Sequence, residues 1–178
     1  EDWAKVNDLS ANLNFTNNSM LITGRSGSLS GLNVNGVQVA IDDLGHEQVL
    51  TVDALIQSAL PHNVTKLMID SPLNDSVGSV LEQLQVKGNI NGEFHLNLPL
   101  NAIEDVLASG FIDFSNNKVN LQTPAMNFDK VNGQLRFEND QITTRNLSLN
   151  WHGLPLTLAV NASDKAEYYD TNITLNAD

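Results

Sequence analysis

The repeated pattern that decides the fold is clearest at residues 110–119, which read Gly-Phe-Ile-Asp-Phe-Ser-Asn-Asn-Lys-Val. Residues 133–142 read Gly-Gln-Leu-Arg-Phe-Glu-Asn-Asp-Gln-Ile, and residues 11–20 give a looser copy, Ala-Asn-Leu-Asn-Phe-Thr-Asn-Asn-Ser-Met. In each copy two apolar residues lie two positions apart, which places them on one face of a β-strand. Asn and Asp tolerate the positive φ of tight turns. Each copy therefore predicts a strand, a turn and a second strand.

The same two-residue alternation runs through most of the chain and is cleanest at 88–100. Asn35-Gly36 predicts either a hairpin turn or a bulge between two strands. Further strands are predicted at 49–56, 147–162 and the end of the chain. The segments predicted to connect strands are 24–28, 42–47, 102–107, 123–132 and 163–170. Short connections of this kind favour antiparallel neighbours, a dozen or so in total.

One region departs from this alternation and predicts helix. Residues 63–70 favour a short helix with Val64, Leu67 and Met68 on one side. Residues 75–84 have apolar side chains at i, i+3, i+4 and i+7, which is helical spacing, and Asn74 or Asp75 would be the N-cap. We therefore expect a helical insert around 62–85 that lies over an end or a face of the sheet.

The predicted fold class is mostly β, a curved antiparallel meander of repeated hairpins that forms an elongated, taco-like groove. We expect residues 1–178 to be a single β-rich segment, cut from a longer protein. The alternative is a closed β-sandwich whose core the apolar faces fill, as in a non-enzymatic scaffold or binding module.

Composition excludes several functions. The chain has a formal net charge of −12, which argues against nucleic acid as a partner, because such binding needs a basic surface. It contains no Cys, so disulfides, zinc–thiolate sites and thiol catalysis are excluded. No stretch has the length of a membrane-spanning helix, and no signal peptide is visible.

Signals of catalysis are weak. His46-Glu47 does not continue into the zinc motif His-Glu-x-x-His. A cation site formed by Asp42, Asp43, His46 and Glu47 is conceivable, but a solvated turn explains these residues better. An enzyme acting on carbohydrate through carboxylates near Asp42 and Glu47 is a further alternative, which the 6% aromatic content weakens. We predict no enzymatic activity, no catalytic residue, no metal and no cofactor.

The informative feature is instead the row of apolar strand faces. If the sheet is open, these faces would line a groove for hydrocarbon. The candidate lining residues are Leu13, Phe15, Ile90, Phe94, Leu96, Leu98, Ile112, Phe114, Leu135, Phe137, Leu147, Leu149, Leu156 and Leu158.

Several segments together resemble the AsmA-like family of Gram-negative bacteria. They are Ser-Pro-Leu at 71–73, Leu-Glu-Gln-Leu-Gln at 81–85, Gly88, Asn-Gly-Glu-Phe-His-Leu-Asn-Leu-Pro-Leu at 91–100, the Gly-x-Leu-x-Phe-x-Asn unit and Trp-His-Gly-Leu-Pro-Leu at 151–156. The resemblance implies a periplasmic segment of a protein anchored in the inner membrane. Such proteins are similar to the eukaryotic bridge-like lipid transfer proteins, in which a repeating β-groove carries lipid acyl chains.

The expected function follows from that resemblance. The segment would help to move phospholipid between inner and outer membranes, which supports lipid homeostasis and the barrier of the outer membrane. Its partners would be phospholipid acyl chains and, through other parts of the protein, the two membranes.

Overall fold

The structure is a computed structural model that describes residues 4–45, 48–71, 74, 79–102, 105–123, 125–139, 141–165 and 168–177. Its elements, in chain order, are β1 (Val6–Thr16), β2 (Ser19–Leu29), β3 (Leu32–Asn33), β4 (Gln38–Ile41), β5 (Val49–Ala59), α1 (Pro61–Ile69), α2 (Ser79–Gln83), β6 (Leu84–Lys87), β7 (Ile90–Pro99), β8 (Leu107–Leu121), β9 (Met126–Glu138), β10 (Gln141–Trp151), β11 (Leu154–Lys165) and β12 (Tyr168–Ala177).

All twelve strands belong to one antiparallel sheet. Its order is β1-β2-β4-β5-β7-β8-β9-β10-β11-β12, with β3 paired to β2 and β6 paired to β8. Neighbours in the sheet are therefore neighbours along the chain, which confirms the curved antiparallel meander with a short helical insert. The closed sandwich would need two sheets packed face to face, and the described strands do not form two sheets.

Two of the three repeated units are hairpins, as predicted. In the first, Thr16 pairs with Ser19 across a turn in which Asn17 has a φ of 53°. In the second, Glu138 pairs with Gln141, and Asn139 has a φ of 49°. Asn supplies the left-handed backbone conformation in both turns, at a smaller steric cost than most residues.

The third unit is not a hairpin, so the prediction for residues 110–119 was wrong. These residues lie inside β8, which runs on from Leu107 to Leu121 with register shifts between Phe114 and Val119. Asn116 again has a positive φ, of 57°, but here it forms a β-bulge and not a turn. The Asn117 side chain is buried and hydrogen-bonds to the backbone of Ser115, Lys87 and Asn89. Contacts with residues distant in sequence therefore stabilise a bulge here in place of a turn.

The partner of this long strand is formed by β6 and β7 together. Lys87 pairs with Lys118 and Asn91 pairs with Asp113, so β6 and β7 lie end to end along β8. β6 was not predicted, because the helical spacing of residues 75–84 extends to Leu84, the first residue of this strand. Since β6 follows α2 directly, the chain passes from the insert straight back into the sheet.

The N-terminal strands also differ from prediction at two points. Residues 24–28, predicted as a loop, lie within β2. The segment around Asn35 and Gly36 is the bulge alternative, since β3 and β4 both pair with β2 and not with each other. A Cβ on Gly24 would lie 2.1 Å from the Val34 carbonyl oxygen, so the absence of a side chain allows this close backbone approach.

Two further connectors are shorter than predicted. β9 begins at Met126, inside the predicted connector 123–132, and β11 and β12 extend into the predicted polar loop 163–170. Lys165 pairs with Tyr168 there. In β9 the alternation of Met126 and Phe128 was present but too short to stand out, whereas the polar residues around 163–165 and 168–170 show no such alternation.

The first predicted helix is confirmed as α1, with Pro61 in the first turn, where a missing N–H costs nothing. Val64 and Met68 lie one turn apart and are its buried residues. The second predicted helix, 75–84, is described only from Ser79, and it ends at Gln83. Residues 72–73 and 75–78 lie outside the described residues.

Candidate functional site

Apolar side chains form continuous rows across one face of the sheet, which we call the apolar face. One row follows paired residues Phe15, Met20, Ile41, Leu50 and Leu98. At about 4.8 Å between strands, these five residues span roughly 19 Å. A parallel row joins Leu13, Ile22, Val39, Val52, Leu96 and Ala108. The rows are perpendicular to the strands and cross the N-terminal half of the sheet.

Two further rows continue over the middle of the sheet. The first is Ala54, Phe94, Gly110, Phe137 and Ile142, and the second is Ile56, Gly92, Ile112, Leu135 and Thr144. Beyond β10, register shifts displace the pattern, and the paired residues are Leu147 with Leu158 and Leu149 with Leu156. The apolar face therefore reaches from the first strand to the eleventh.

Twelve of the fourteen predicted lining residues lie in or against two packed clusters. The first, which we call the central cluster, contains Ile90, Ile112, Phe114, Leu147, Leu149 and Leu156, with Leu135 and Leu158 packed against it. The second, the flanking cluster, contains Leu96 and Leu98, with Phe94 and Phe137 packed against it. Leu13 and Phe15 belong to neither cluster and are 59% and 61% exposed.

The insert explains why the middle of the apolar face is covered. Val64 of α1 is part of the central cluster, and Met68, one turn later, is part of the flanking cluster. Leu81 of α2 packs against both. The insert therefore lies across the middle rows, whereas the residues of β1 carry large exposed apolar side chains.

An open cleft of about 250 Å³ lies at the side of the insert, between α1, α2 and β6, whereas the space beneath the insert is small. Its volume is about 30 Å³, which is room for about two water molecules. Its walls are apolar, and its lining includes Val64, Met68, Ile56, Phe94, Ile112, Leu135, Phe137 and Ile142. We call the sheet residues Ile56, Phe94, Ile112, Leu135, Phe137 and Ile142 the floor.

Gly110 brings two aromatic rings of the floor together. It pairs with Phe94 on one side and Phe137 on the other, and the two ring centroids are 6.4 Å apart. A Cβ on Gly110 would lie 3.0 Å from the Phe137 ring and 2.1 Å from the Glu93 carbonyl oxygen. The missing side chain therefore lets the rings approach each other over β8.

Apolar residues of β2, β4 and β5 that were not among the predicted lining residues share the two N-terminal rows. These are Met20, Ile22, Val39, Ile41, Leu50 and Val52, and they complete the two N-terminal rows. The signal was present, since all of them alternate within predicted strands, but only pairing register shows which strands share a row.

The opposite face of the sheet carries charged and polar side chains, together with the exposed Leu21 and Leu55. His95 has its Nδ1 2.6 Å from an Asp53 carboxylate oxygen and its Nε2 3.6 Å from Glu93, and all three side chains are about half exposed. The Arg136 guanidinium lies 5.5 Å from the centre of the Phe111 ring.

The remaining sites considered from sequence are not supported by the part of the chain that the structure describes. Among those residues no group of His, Asp and Glu is arranged to hold a metal ion. His46 and Glu47 of the conceivable cation cluster lie outside the described residues. No helix in the described ranges has the length and hydropathy needed to cross a membrane.

Comparison with known proteins gives two similarities. The protein-family model described as "YhdP protein" matches residues 1–178. The chain is 27% identical over 175 residues to the intermembrane phospholipid transporter YhdP of Escherichia coli (strain K12). That alignment covers 98% of this chain and 14% of the relative, so the chain spans about a seventh of the relative's length. No solved structure matches.

Proposed function

Since this chain belongs to the YhdP protein family, we propose that it forms one stretch of a hydrophobic conduit for phospholipid in the periplasm. In this proposal residues 1–178 are an internal segment of a longer protein anchored in the inner membrane. The acyl chains travel along the apolar face, and the whole protein moves phospholipid between the inner and outer membranes. The segment itself carries out no chemical reaction.

The observation that carries the proposal is the continuous apolar face of an unclosed sheet. Its rows cross strand after strand in register, and Leu13, Phe15 and Leu9 of β1 leave apolar surface in contact with solvent. Contiguous exposed apolar surface of this kind marks a site of interaction. The name of the E. coli relative, a phospholipid transporter, supplies the ligand class.

The physical need for such a surface follows from the hydrophobic effect. Moving one methylene from bilayer to water costs about 0.8 kcal/mol. A phospholipid with two ordinary chains would therefore meet a barrier on the order of 20 kcal/mol in water. The apolar rows replace bilayer hydrocarbon with protein side chains at similar solvation, while the polar headgroup stays in water. This lowers the barrier without a source of energy.

A matched pair of charge substitutions tests the proposal. Leu13→Asp with Phe15→Asp places two carboxylates on the apolar face, at exposed positions where folding should tolerate them. Asn12→Asp with Asn14→Asp places the same charges on the same exposed strand but on its other face. Because burying a carboxylate against hydrocarbon is costly, we expect phospholipid transport by the full-length protein to fall at least tenfold in the first variant.

The control variant should transport at close to the rate of the unmodified protein. Both variants should unfold at similar temperatures, which shows that the sheet is intact. Equal transport by the two variants would contradict a conduit along this face and would favour a scaffold role for the segment.

A further inference from the structure

The insert occupies the place that an acyl chain would need, so the middle of the apolar face is closed in this structure. We propose that the floor beneath α1 and α2 is a binding site for a single acyl chain and that the insert is its displaceable cover. This inference rests on the proposed function. The space of about 30 Å³ under the insert has room for about two waters, so a chain reaches the floor only when the insert moves.

The chemistry of the floor selects hydrocarbon. The sheet presents aliphatic and aromatic side chains there, at Ile56, Phe94, Ile112, Leu135, Phe137 and Ile142. Glu93 also lines this space, and the other residues that line it have apolar side chains. A flexible chain without polar groups is the ligand whose burial such a surface favours.

The contacts that hold the insert down are of the same kind as those that an acyl chain would make. Val64 and Met68 are 5% and 4% exposed and pack on the two clusters. Burial of apolar surface has no directional requirement. Methylene groups of a chain would therefore replace these two side chains on the floor without loss of a specific bond.

Among the described residues of the insert, two hydrogen bonds reach the sheet or its turns. The Asn63 side-chain amide donates a hydrogen bond of 3.0 Å to the Gly31 carbonyl oxygen, between α1 and the turn after β2. The Gln122 backbone N–H donates a hydrogen bond of 3.0 Å to the Gln83 backbone carbonyl oxygen at the end of α2. The ion pair of Lys66 with Asp70 is internal to this region and does not reach the sheet. The contact between Asn63 and Gly31 joins α1 directly to the turn after β2, so a covalent link there would hold the insert in place.

A disulfide between positions 31 and 63 would lock it. Residues 1–178 contain no Cys, so an introduced pair has no competing partner within this segment. A Cβ built on Gly31 lies 3.0 Å from the Asn63 Cγ, which puts a sulfur at that Cγ position within disulfide reach. Gly31 has a φ of +83°, so Gly31→Cys adds backbone strain. The reduced form of the same double variant carries the same strain and is the matched control.

The experiment uses the full-length protein in cells, with a photo-crosslinking amino acid at Phe137 on the floor or at Phe15 outside the cover. Lipid captured by each probe is measured with the Cys pair oxidised and then reduced. We expect oxidation to lower lipid capture at Phe137 at least tenfold and subsequent reduction to restore it. Lipid capture at Phe15 should change less than twofold.

Each other outcome overturns a defined part of the account. Equal capture at Phe137 in both forms shows that the insert is not a cover. Capture at Phe15 with none at Phe137 in either form shows that the floor is not an acyl-chain site. No capture at either probe, oxidised or reduced, overturns the proposed function itself and this inference with it.

Discussion

Asn117 holds the bulge at which the chain returns from the insert to the sheet, and its replacement should be costly. The side chain is 2% exposed and makes three hydrogen bonds. Its amide nitrogen donates to the carbonyl oxygens of Lys87 and Asn89, both at 3.1 Å, and its oxygen accepts from the Ser115 N–H at 2.7 Å. These bonds join the junction of β6 and β7 to the irregular part of β8.

The magnitude follows from the number of bonds. A hydrogen bond contributes a net 0.5–1.5 kcal/mol, so Asn117→Ala should lower the free energy of unfolding by about 3 kcal/mol. For a chain of this length, about 3 kcal/mol corresponds to a fall in Tm of roughly 6–12 °C. Asn117→Asp should be worse, because it places a carboxylate oxygen against two carbonyl oxygens in a buried position.

Urea unfolding followed by circular dichroism measures this free energy directly. Asn127→Ala is the matched control, since Asn127 is an exposed strand residue on neighbouring β9, and such surface changes stay within about 0.5 kcal/mol. If Asn117→Ala lost no more stability than this control, the three bonds would not be what holds the bulge.

Three further expectations concern packing. Gly110→Ala should destabilise the fold by about 1–3 kcal/mol, because the new Cβ would lie 2.1 Å from the Glu93 carbonyl oxygen; an unchanged urea midpoint would refute this. Val131, 1% exposed in the central cluster, should lose about 2 kcal/mol on truncation to Ala, measured in the same assay against any exposed Val. Burial of the Val64 and Met68 side chains stabilises the closed insert by about 3–6 kcal/mol. An acyl chain that buries four to eight methylenes, at about 0.8 kcal/mol each, gains the same free energy. Floor capture should therefore require chains longer than about eight carbons, and equal capture of short-chain lipid would contradict the competition.

The architecture was predictable because each strand carries its own signal. Alternation identifies a half-buried strand from local sequence, and short connections then force antiparallel neighbours. That is why the single meander and α1 could be predicted. The burial of apolar residues of β7 to β10 in the two clusters is consistent with the same alternation.

The bulge at Asn117 shows what local sequence does not contain. Residues 110–119 and 133–142 share one pattern, yet the Asn pair is a bulge in the first and a turn in the second. Both conformations need positive φ at an Asn. The difference comes from the junction between β6 and β7, where the Lys87 and Asn89 carbonyl oxygens accept hydrogen bonds from Asn117, and from the pairing of both strands with β8, which keeps it extended.

The helical insert was predicted to lie over an end or a face of the sheet, but its exact position was not, for a related reason. The spacing of Val64 and Met68 predicts a helix with one apolar side, but it does not say which strands that side contacts. Only the packing of the folded chain shows that α1, which follows β5 along the chain, lies over both clusters. The sequence therefore identified the apolar face but not which part of it is open.

Lipid capture on the open part of the apolar face is the measurement that tests the central claim most directly. A photo-crosslinking amino acid at Phe15 in the full-length protein reports on the exposed row, and one at Asn14 reports on the other face of the same strand. The account predicts that phospholipid is crosslinked at Phe15 at least tenfold more than at Asn14. Equal crosslinking at the two positions, or none at Phe15, would contradict it.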